Sequence, residues 1–156
     1  MDKDDWEKSS DYLLDIKGLL ILDADALNRI SKSNLGSKFF LERKSETWIT
    51  PHYKEFTRLF PGIVETNRVK LALTAAKEFN ISILLKGANS VIANNEMAWQ
   101  IFGTDSETAR AGLGDLLSGF IGGSSAIDLS YLDDNIKTEF LAKYAFLHSF
   151  AASKCK

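Results

Sequence analysis

The sequence predicts an α/β fold: one layered domain with a mostly parallel sheet and flanking helices. Leu19-Leu20-Ile21-Leu22 is apolar at every position and Ile81-Ser82-Ile83-Leu84-Leu85 nearly so, the habit of strands covered on both faces by helices. Stretches with helical spacing stand between such strands, and this alternation is the mark of a layered α/β domain. At 156 residues and 45% hydrophobic, the chain is large enough to bury one full core.

The elements follow in order. Leu13, Leu14 and Ile16, with Trp6, predict a short first helix that stops at Gly18. The strand Leu19–Leu22 delivers Asp23 and Asp25 to its carboxyl end, the edge at which open α/β sheets keep their ligand crevice. Asp25 suits the N-cap of the next helix as well as a ligand, and Asp23 could simply end its strand. Helices are expected over Ala26 to Ser31 and around Lys38 to Lys44. Thr47-Trp48-Ile49-Thr50 is the next strand; Pro51 closes it by removing a backbone donor, leaving His52 just past a strand end.

Tyr53 to Phe60 suits a short helix, and Asn67 to Phe79 a longer one with Val69, Leu73 and Ala76 on its apolar face and Asn80 as a left-handed stop. The strand Ile81–Leu85 then presents Lys86. Ser90–Ala93 and Met97–Ile101 flank Asn94-Asn95-Glu96 as a hairpin, because asparagine tolerates the positive dihedrals of tight turns. A glycine element, Gly112-Leu113-Gly114-Asp115, leads into a helix with Leu116, Leu117, Phe120 and Ile121. A long helix from about Asp133 carries Phe140, Tyr144, Leu147 and Ala151.

Composition narrows the partners. With 19 basic against 21 acidic side chains and a net charge of -2, nothing favours nucleic acid or an anionic membrane. The one cysteine, Cys155, cannot form an internal disulfide; with no signal-peptide pattern and no apolar run long enough to span a bilayer, a reducing, cytoplasmic setting is expected.

Four polar groups recur at strand ends or helix starts: Asp23/Asp25, His52, Lys86 and Asp115. Each has an ordinary alternative as a cap, a solvated loop residue or a surface lysine, but all would face one edge of a single sheet. Gly112, Leu113 and Gly114 suit an anion hole, since glycine brings backbone NH groups close to a ligand and the first turn of a helix adds unpaired donors. The chain has no GxxxxGK[ST] loop, which excludes a Walker-type site. It has no HExxH and no Cys/His cluster, so no dedicated protein metal site is expected, and no GxSxG nucleophile elbow. A glycine anion hole with a carboxylate beside it and a lysine nearby is equipment for phosphoryl transfer, the Asp taking a proton from a substrate hydroxyl.

Leu22-Asp23-Ala24-Asp25-Ala26-Leu27-Asn28, Ile49-Thr50-Pro51-His52-Tyr53-Lys54-Glu55-Phe56, Leu84-Leu85-Lys86-Gly87-Ala88-Asn89-Ser90-Val91-Ile92 and Ala109 to Gly119 resemble, in order and spacing, the motifs of the ADP-dependent NAD(P)H-hydrate dehydratases. That family lies in the ribokinase-like superfamily, and the helix around Tyr144 to Ala151 looks like its closing helix. The resemblance implies a repair lyase that removes water from the 6S hydrate of NADH or NADPH at the expense of ADP or ATP, with magnesium assisting. It implies Asp115 as the catalytic base in contact with the hydrate, and His52 as a second contact to the hydrate. Lys86, Gly87, Ala88, Asn89, Ser90 and Gly114 would bind the nucleotide.

Three departures accompany the resemblance. Asp105-Ser106-Glu107 stands where the family usually has Asn-x-Gly, and Leu113 replaces a small Thr or Ser. The family domain is also longer, so residues 1–156 correspond to its C-terminal portion, a partial ribokinase-like fold lacking the N-terminal half. A homo-oligomer, or a partner supplying that half, is expected to cover the exposed edges. A nucleotide-binding relative without turnover, and a small-molecule kinase of the same superfamily, are the alternative readings.

Overall fold

The computed structural model describes residues 10–102, 113–128 and 137–154. Five strands form one sheet in the order β1-β2-β3-β4-β5: β1 (Leu20–Leu22), β2 (Thr47–Ile49), β3 (Ser82–Leu85), β4 (Ser90–Ala93) and β5 (Ala98–Ile101). The pairs β1–β2 and β2–β3 are parallel, while β3–β4 and β4–β5 are antiparallel. Since β5 reverses β4, every strand but β4 points the same way, and the expected mostly parallel sheet is present with a hairpin at its end.

Alternation along the strands sorts side chains into two cores. Ile49, Ile83, Leu85, Val91 and Ala93 face the larger one, with helices α2 (Ala24–Lys32), α3 (Lys38–Glu42), α4 (Tyr53–Leu59) and α5 (Arg68–Phe79). Trp48, Leu84 and Ile92 face the smaller one, covered by α6 (Leu113–Asp128) and α7 (Lys137–Lys154). The result is helices on both faces of one sheet. Phe40, Phe56, Phe60 and Phe79 tie α3, α4 and α5 together, with ring centroids 5.9 Å (Phe40–Phe60), 5.0 Å (Phe56–Phe60) and 4.8 Å (Phe60–Phe79) apart.

The first helix, α1, is described over 10–15 and precedes Gly18, whose φ of +105° favours a residue without Cβ. Buried Arg43 holds this segment to the sheet. Its guanidinium donates to the carbonyls of Leu13, Ile16 (2.8 Å) and Gly18 (2.7 Å), and its Nε donates to Thr47 Oγ1 at 3.0 Å. Nothing in the spacing of the sequence singles out Arg43, because its partners are backbone oxygens distant along the chain.

Several expectations are corrected. β1 is not fully buried: Leu20 and Ile21 remain half-buried because β1 is an edge of the sheet, although apolar residues cover both of its faces. The buried face of α5 is Leu71, Ala72, Ala75, Ala76 and Phe79, rotated from the expected one; Ala76 belongs to both, while Val69 and Leu73 sit at its margin. The hairpin forms, but without positive φ at its asparagines. Instead Asn94 Oδ1 accepts from the backbone NH groups of Glu96 (2.9 Å) and Met97 (2.7 Å), so its side chain performs the turn. Asn80 does stop α5 in the left-handed conformation, at φ 50° and ψ 52°.

The helices on the second face are only partly buried. Ile121, Leu141 and Tyr144 are buried, whereas Leu116, Phe120, Phe146, Leu147 and Phe150 are exposed, as is Ala151. Both helices are apolar around more of their circumference than the sheet can cover. Trp6, the segment holding Asp105 and Glu107, Gly112, the start of the long helix at Asp133, and Cys155 lie outside the described residues.

Candidate functional site

The carboxyl ends of β1, β2 and β3 bring the predicted site residues to one corner. Thr50 N donates to Leu22 O (3.1 Å) and Lys86 N to Pro51 O (2.8 Å), extending the parallel ladders one residue past the strands. A further bridge pairs His52 with Lys86. Pro51 lacks a donor but its carbonyl completes this ladder, so the proline ends the strand without opening the sheet.

Asp23, rather than Asp25, caps α2. Its Oδ1 accepts from Ala24 N at 2.8 Å, while Asp25 lies within the first turn of the helix. Ala24 sits at φ +46°, a strained conformation for a residue with a Cβ, directly beside the site. The same Asp23 carboxylate meets Lys86: Nζ lies 2.7 Å from Oδ1, with the side chains 23% and 12% exposed. That burial makes the contact more consequential than a surface ion pair. The other carboxylate oxygen accepts from Ser118 Oγ at 2.6 Å, and Ser118 Oγ lies 3.4 Å from the hydroxyl of buried Thr50.

This chain of contacts carries Lys86 across to α6. A Cβ built on Gly114 would lie 3.6 Å from Lys86 Nζ, so the ammonium stands against the first turn of that helix. Gly114 and Leu113 are already helical, which corrects the expectation of a glycine turn at these positions; of the predicted anion hole, Gly112 lies outside the described residues. Asp115 is exposed in the first turn of α6.

His52 is the N-cap of α4. Its Nδ1 accepts from Glu55 N at 3.2 Å, and the buried Glu55 carboxylate accepts from His52 N at 2.9 Å, a reciprocal capping box. With Nδ1 accepting, the ring proton belongs on Nε2, which lies 3.3 Å from Glu55 Oε1. His52 therefore has a structural task beside any ligand it contacts.

The Lys86–Ser90 loop joins β3 to β4. Gly87, Ala88 and Asn89 are exposed, and Ser90 braces the loop, its Oγ accepting from Gly87 N at 3.3 Å and donating to Gly87 O at 3.1 Å. Arg68, at the start of α5, packs on Gly87; its Nη2 donates to Lys86 O at 3.0 Å, its guanidinium lies 5.8 Å from the centre of the Tyr53 ring, and its buried Nε has no hydrogen-bond partner.

Sequence reasoning passed over Ser118, Thr50 and Arg68. Arg68 carried one usable signal: a cation in the first turn of a helix opposes the helix dipole, and so needs another reason to be there. Ser118 carried the spacing, four residues after Gly114 and on the same face of the helix.

The arrangement fits a phosphorylated ligand, with an ammonium, the donors of a helix start, an exposed loop and a carboxylate side by side. Among the described residues no group of three or more His, Cys, Asp or Glu could hold a metal ion.

Known proteins are similar to this chain in sequence and in fold. The family model for NAD(P)H-hydrate dehydratase matches residues 3–155. A bifunctional NAD(P)H-hydrate repair enzyme of Synechocystis sp. is 40% identical over 112 residues, 71% of this chain and 21% of the relative. An ADP-dependent (S)-NAD(P)H-hydrate dehydratase of Nitrosopumilus maritimus is 36% identical over 114 residues, covering 71% of this chain and 37% of the relative.

Among solved structures, the Bacillus subtilis ADP/ATP-dependent NAD(P)H-hydrate dehydratase co-crystallised with ATP and magnesium superposes with a TM-score of 0.73 at 26% identity, over 94% of this chain and 50% of that one. A ribokinase-like protein of Enterococcus faecalis shares the fold, with a TM-score of 0.68 at 19% identity, over 95% of this chain and 58% of that one. The chain thus spans about half the length of these solved structures and a smaller share of the curated relatives. On the family match, the ordered motifs and the fold together, this chain belongs to the NAD(P)H-hydrate dehydratase family.

Proposed function

We propose that residues 1–156 are the C-terminal, nucleotide-binding and catalytic portion of a domain that dehydrates the 6S hydrate of NADH or NADPH at the expense of ADP or ATP, in nicotinamide nucleotide repair. The observation that carries this reading is the approach of Lys86 to Gly114: a cation held against a helix start, with the exposed carboxylate of Asp115 one residue further along the helix. The relatives from N. maritimus and B. subtilis are named for ADP or ATP dependence, which supports the choice of co-substrate.

In this reading the Lys86–Ser90 loop lies along the nucleotide phosphates, and Lys86 Nζ with the NH groups of the first turn of α6 balances their charge. Asp115 takes the proton of the C6 hydroxyl as that oxygen bonds to the terminal phosphorus and the bond from phosphorus to the bridging oxygen breaks, releasing AMP from ADP or ADP from ATP. Phosphate then leaves C6 and a proton leaves C5, restoring the ring double bond. Magnesium bound to the nucleotide phosphates would supply further charge neutralisation. His52, whose backbone is bridged to that of Lys86, contacts the hydrate in this reading.

The same reading assigns a partner and a location. β1 ends the sheet, and α6 and α7 expose Leu116, Phe120, Phe146, Leu147 and Phe150, surfaces that a preceding half of the domain, a separate polypeptide supplying it, or a second copy would cover. Sedimentation of the purified chain checks this, and a cooperatively unfolding monomer would count against it. No helix among the described residues is long and apolar enough to cross a membrane, and the cytoplasm is the setting we assign.

The test of function is incubation with NADPH hydrate and ADP, alone and with a separately produced first half, followed at the reduced nicotinamide absorbance band. Recovery of that band, lost in Asp115→Asn, is the expected result. Nucleotide binding without recovery would replace the enzyme by a binding module, and phosphorylation of an alcohol by ATP without recovery would select a kinase.

A further inference from the structure

We propose that Arg68 is a positioning residue for the Lys86–Ser90 loop, fixing the peptide that joins Lys86 to Gly87, and that it stands there against the stability of the fold. The inference rests on the nucleotide-binding reading above and adds to it a residue that acts through the backbone.

Two features make Arg68 a poor choice for structure alone. It is the first residue of α5, where a cation opposes the helix dipole. Its Nε is buried and has no hydrogen-bond partner among the described residues, and a buried donor left unpaired is destabilising. The helix start does not need this side chain either. Asn67 Oδ1 already accepts from Val69 N at 2.9 Å and from Lys70 N at 3.1 Å, which caps the first turn. An unbranched apolar side chain would fill the same space with neither penalty.

The compensating task lies at the far end of the guanidinium. Nη2 donates to Lys86 O at 3.0 Å, while the N–H of the same peptide unit, on Gly87, donates to Ser90 Oγ at 3.3 Å. A peptide unit is planar and its two polar groups point opposite ways, so these bonds hold it from both edges. On the strand side Lys86 N is bonded to Pro51 O at 2.8 Å, and rotation there is stopped. On the loop side Gly87 has the backbone freedom of a residue without Cβ, and only the fixed peptide limits how the loop leaves the strand. The Tyr53 ring, 5.8 Å from the guanidinium carbon, gives the cation a face to lie against. Exposed Gly87, Ala88 and Asn89 thus start from a set plane, and a ligand meets a loop already ordered.

Three measurements on the purified chain test this: urea melts, calorimetric titration with ADP and magnesium, and amide hydrogen exchange of Gly87 with Leu84 of β3 as the internal reference. Arg68→Met keeps an unbranched stem and removes the guanidinium; Lys86 is only half-buried, so water replaces the lost donor. The urea midpoint should equal or exceed that of the wild type. Gly87 exchange should be about tenfold faster with Leu84 unchanged, a local opening rather than a global one. ADP binding should weaken about tenfold, because the loop must then be ordered by the ligand. Arg68→Lys keeps a donor without the planar fork and should recover part of both effects. A lower urea midpoint with ADP affinity unchanged would make Arg68 a structural residue and overturn the proposal, as would unchanged Gly87 exchange. If the wild-type chain binds no ADP, the nucleotide reading fails on its own, and Gly87 exchange still decides whether Arg68 fixes the peptide.

Discussion

Gly87 lies so close to Arg68 that a Cβ at position 87 would stand 2.7 Å from Nη2 of Arg68. No such contact survives, so any side chain at 87 displaces the guanidinium and with it the bond to Lys86 O. The atom met is the far end of a flexible side chain, so the guanidinium rather than the backbone would have to shift.

Gly87→Ala should therefore weaken ADP binding about tenfold, the effect of moving a loop that positions phosphate contacts. In an Arg68→Ala background the same change should cost much less, because the displaced group is already gone. A double-mutant cycle by calorimetry reads that coupling, and strict additivity would show that Gly87 serves the ligand directly.

His52 combines two tasks that substitution can separate. His52→Ala should cost about 1 kcal/mol in urea unfolding, the usual loss when an N-cap acceptor is removed. His52→Asn supplies another side-chain acceptor and should recover most of that stability. Dehydratase activity that stays low in the Asn variant would mark His52 as a substrate contact, and full recovery would confine it to capping.

Arg43 holds three carbonyls and a threonine hydroxyl with one guanidinium, and it is buried. Arg43→Ala should destabilise the chain by about 3 kcal/mol, since several buried acceptors lose their donor together. Arg43→Lys should recover only part of this, because an ammonium lacks the planar fork. Equal stability of the Lys variant and wild type would contradict the bracing role.

His148 supplies a pH dependence. Burial holds its imidazole below the ordinary 6.5, beside the Phe120 ring at 6.3 Å. The unfolded chain then binds a proton that the folded chain refuses, so this contribution is complete above the unfolded pKa and is lost as pH falls through it. Urea midpoints should drop as pH falls below about 6.5, and His148→Gln should flatten that dependence. Asp128, whose carboxyl is held below its ordinary range by the Tyr144 hydroxyl and by Lys143, titrates well below this window.

Much of the fold was legible because hydrophobic pattern and local chemistry agree along most of the chain. The apolar runs at Leu19 and Ile81, the stop at Asn80 and the hairpin at Asn94 each declare themselves within a few residues. The turn mechanism at Asn94 was misread because the same residue makes turns in two ways, by left-handed backbone or by side-chain acceptance. Site residues at strand ends, Asp23, His52 and Lys86, could be listed from sequence because the carboxyl edge of the sheet is a topological position. Their connections could not. Which aspartate caps α2 depends on a lysine from β3, and the use of Ser118 depends on a carboxylate from the far side of the chain. The exposed apolar residues of α6 and α7 follow a related rule: periodicity shows that a face is apolar, not what covers it.

The bond between Ser118 and Asp23 joins residues 95 positions apart. Closing so long a span costs entropy that only the finished sheet, with α6 already docked on it, can repay. The carboxylate that Lys86 meets is therefore braced on both oxygens only in a fold that has its sheet and its second helical layer together.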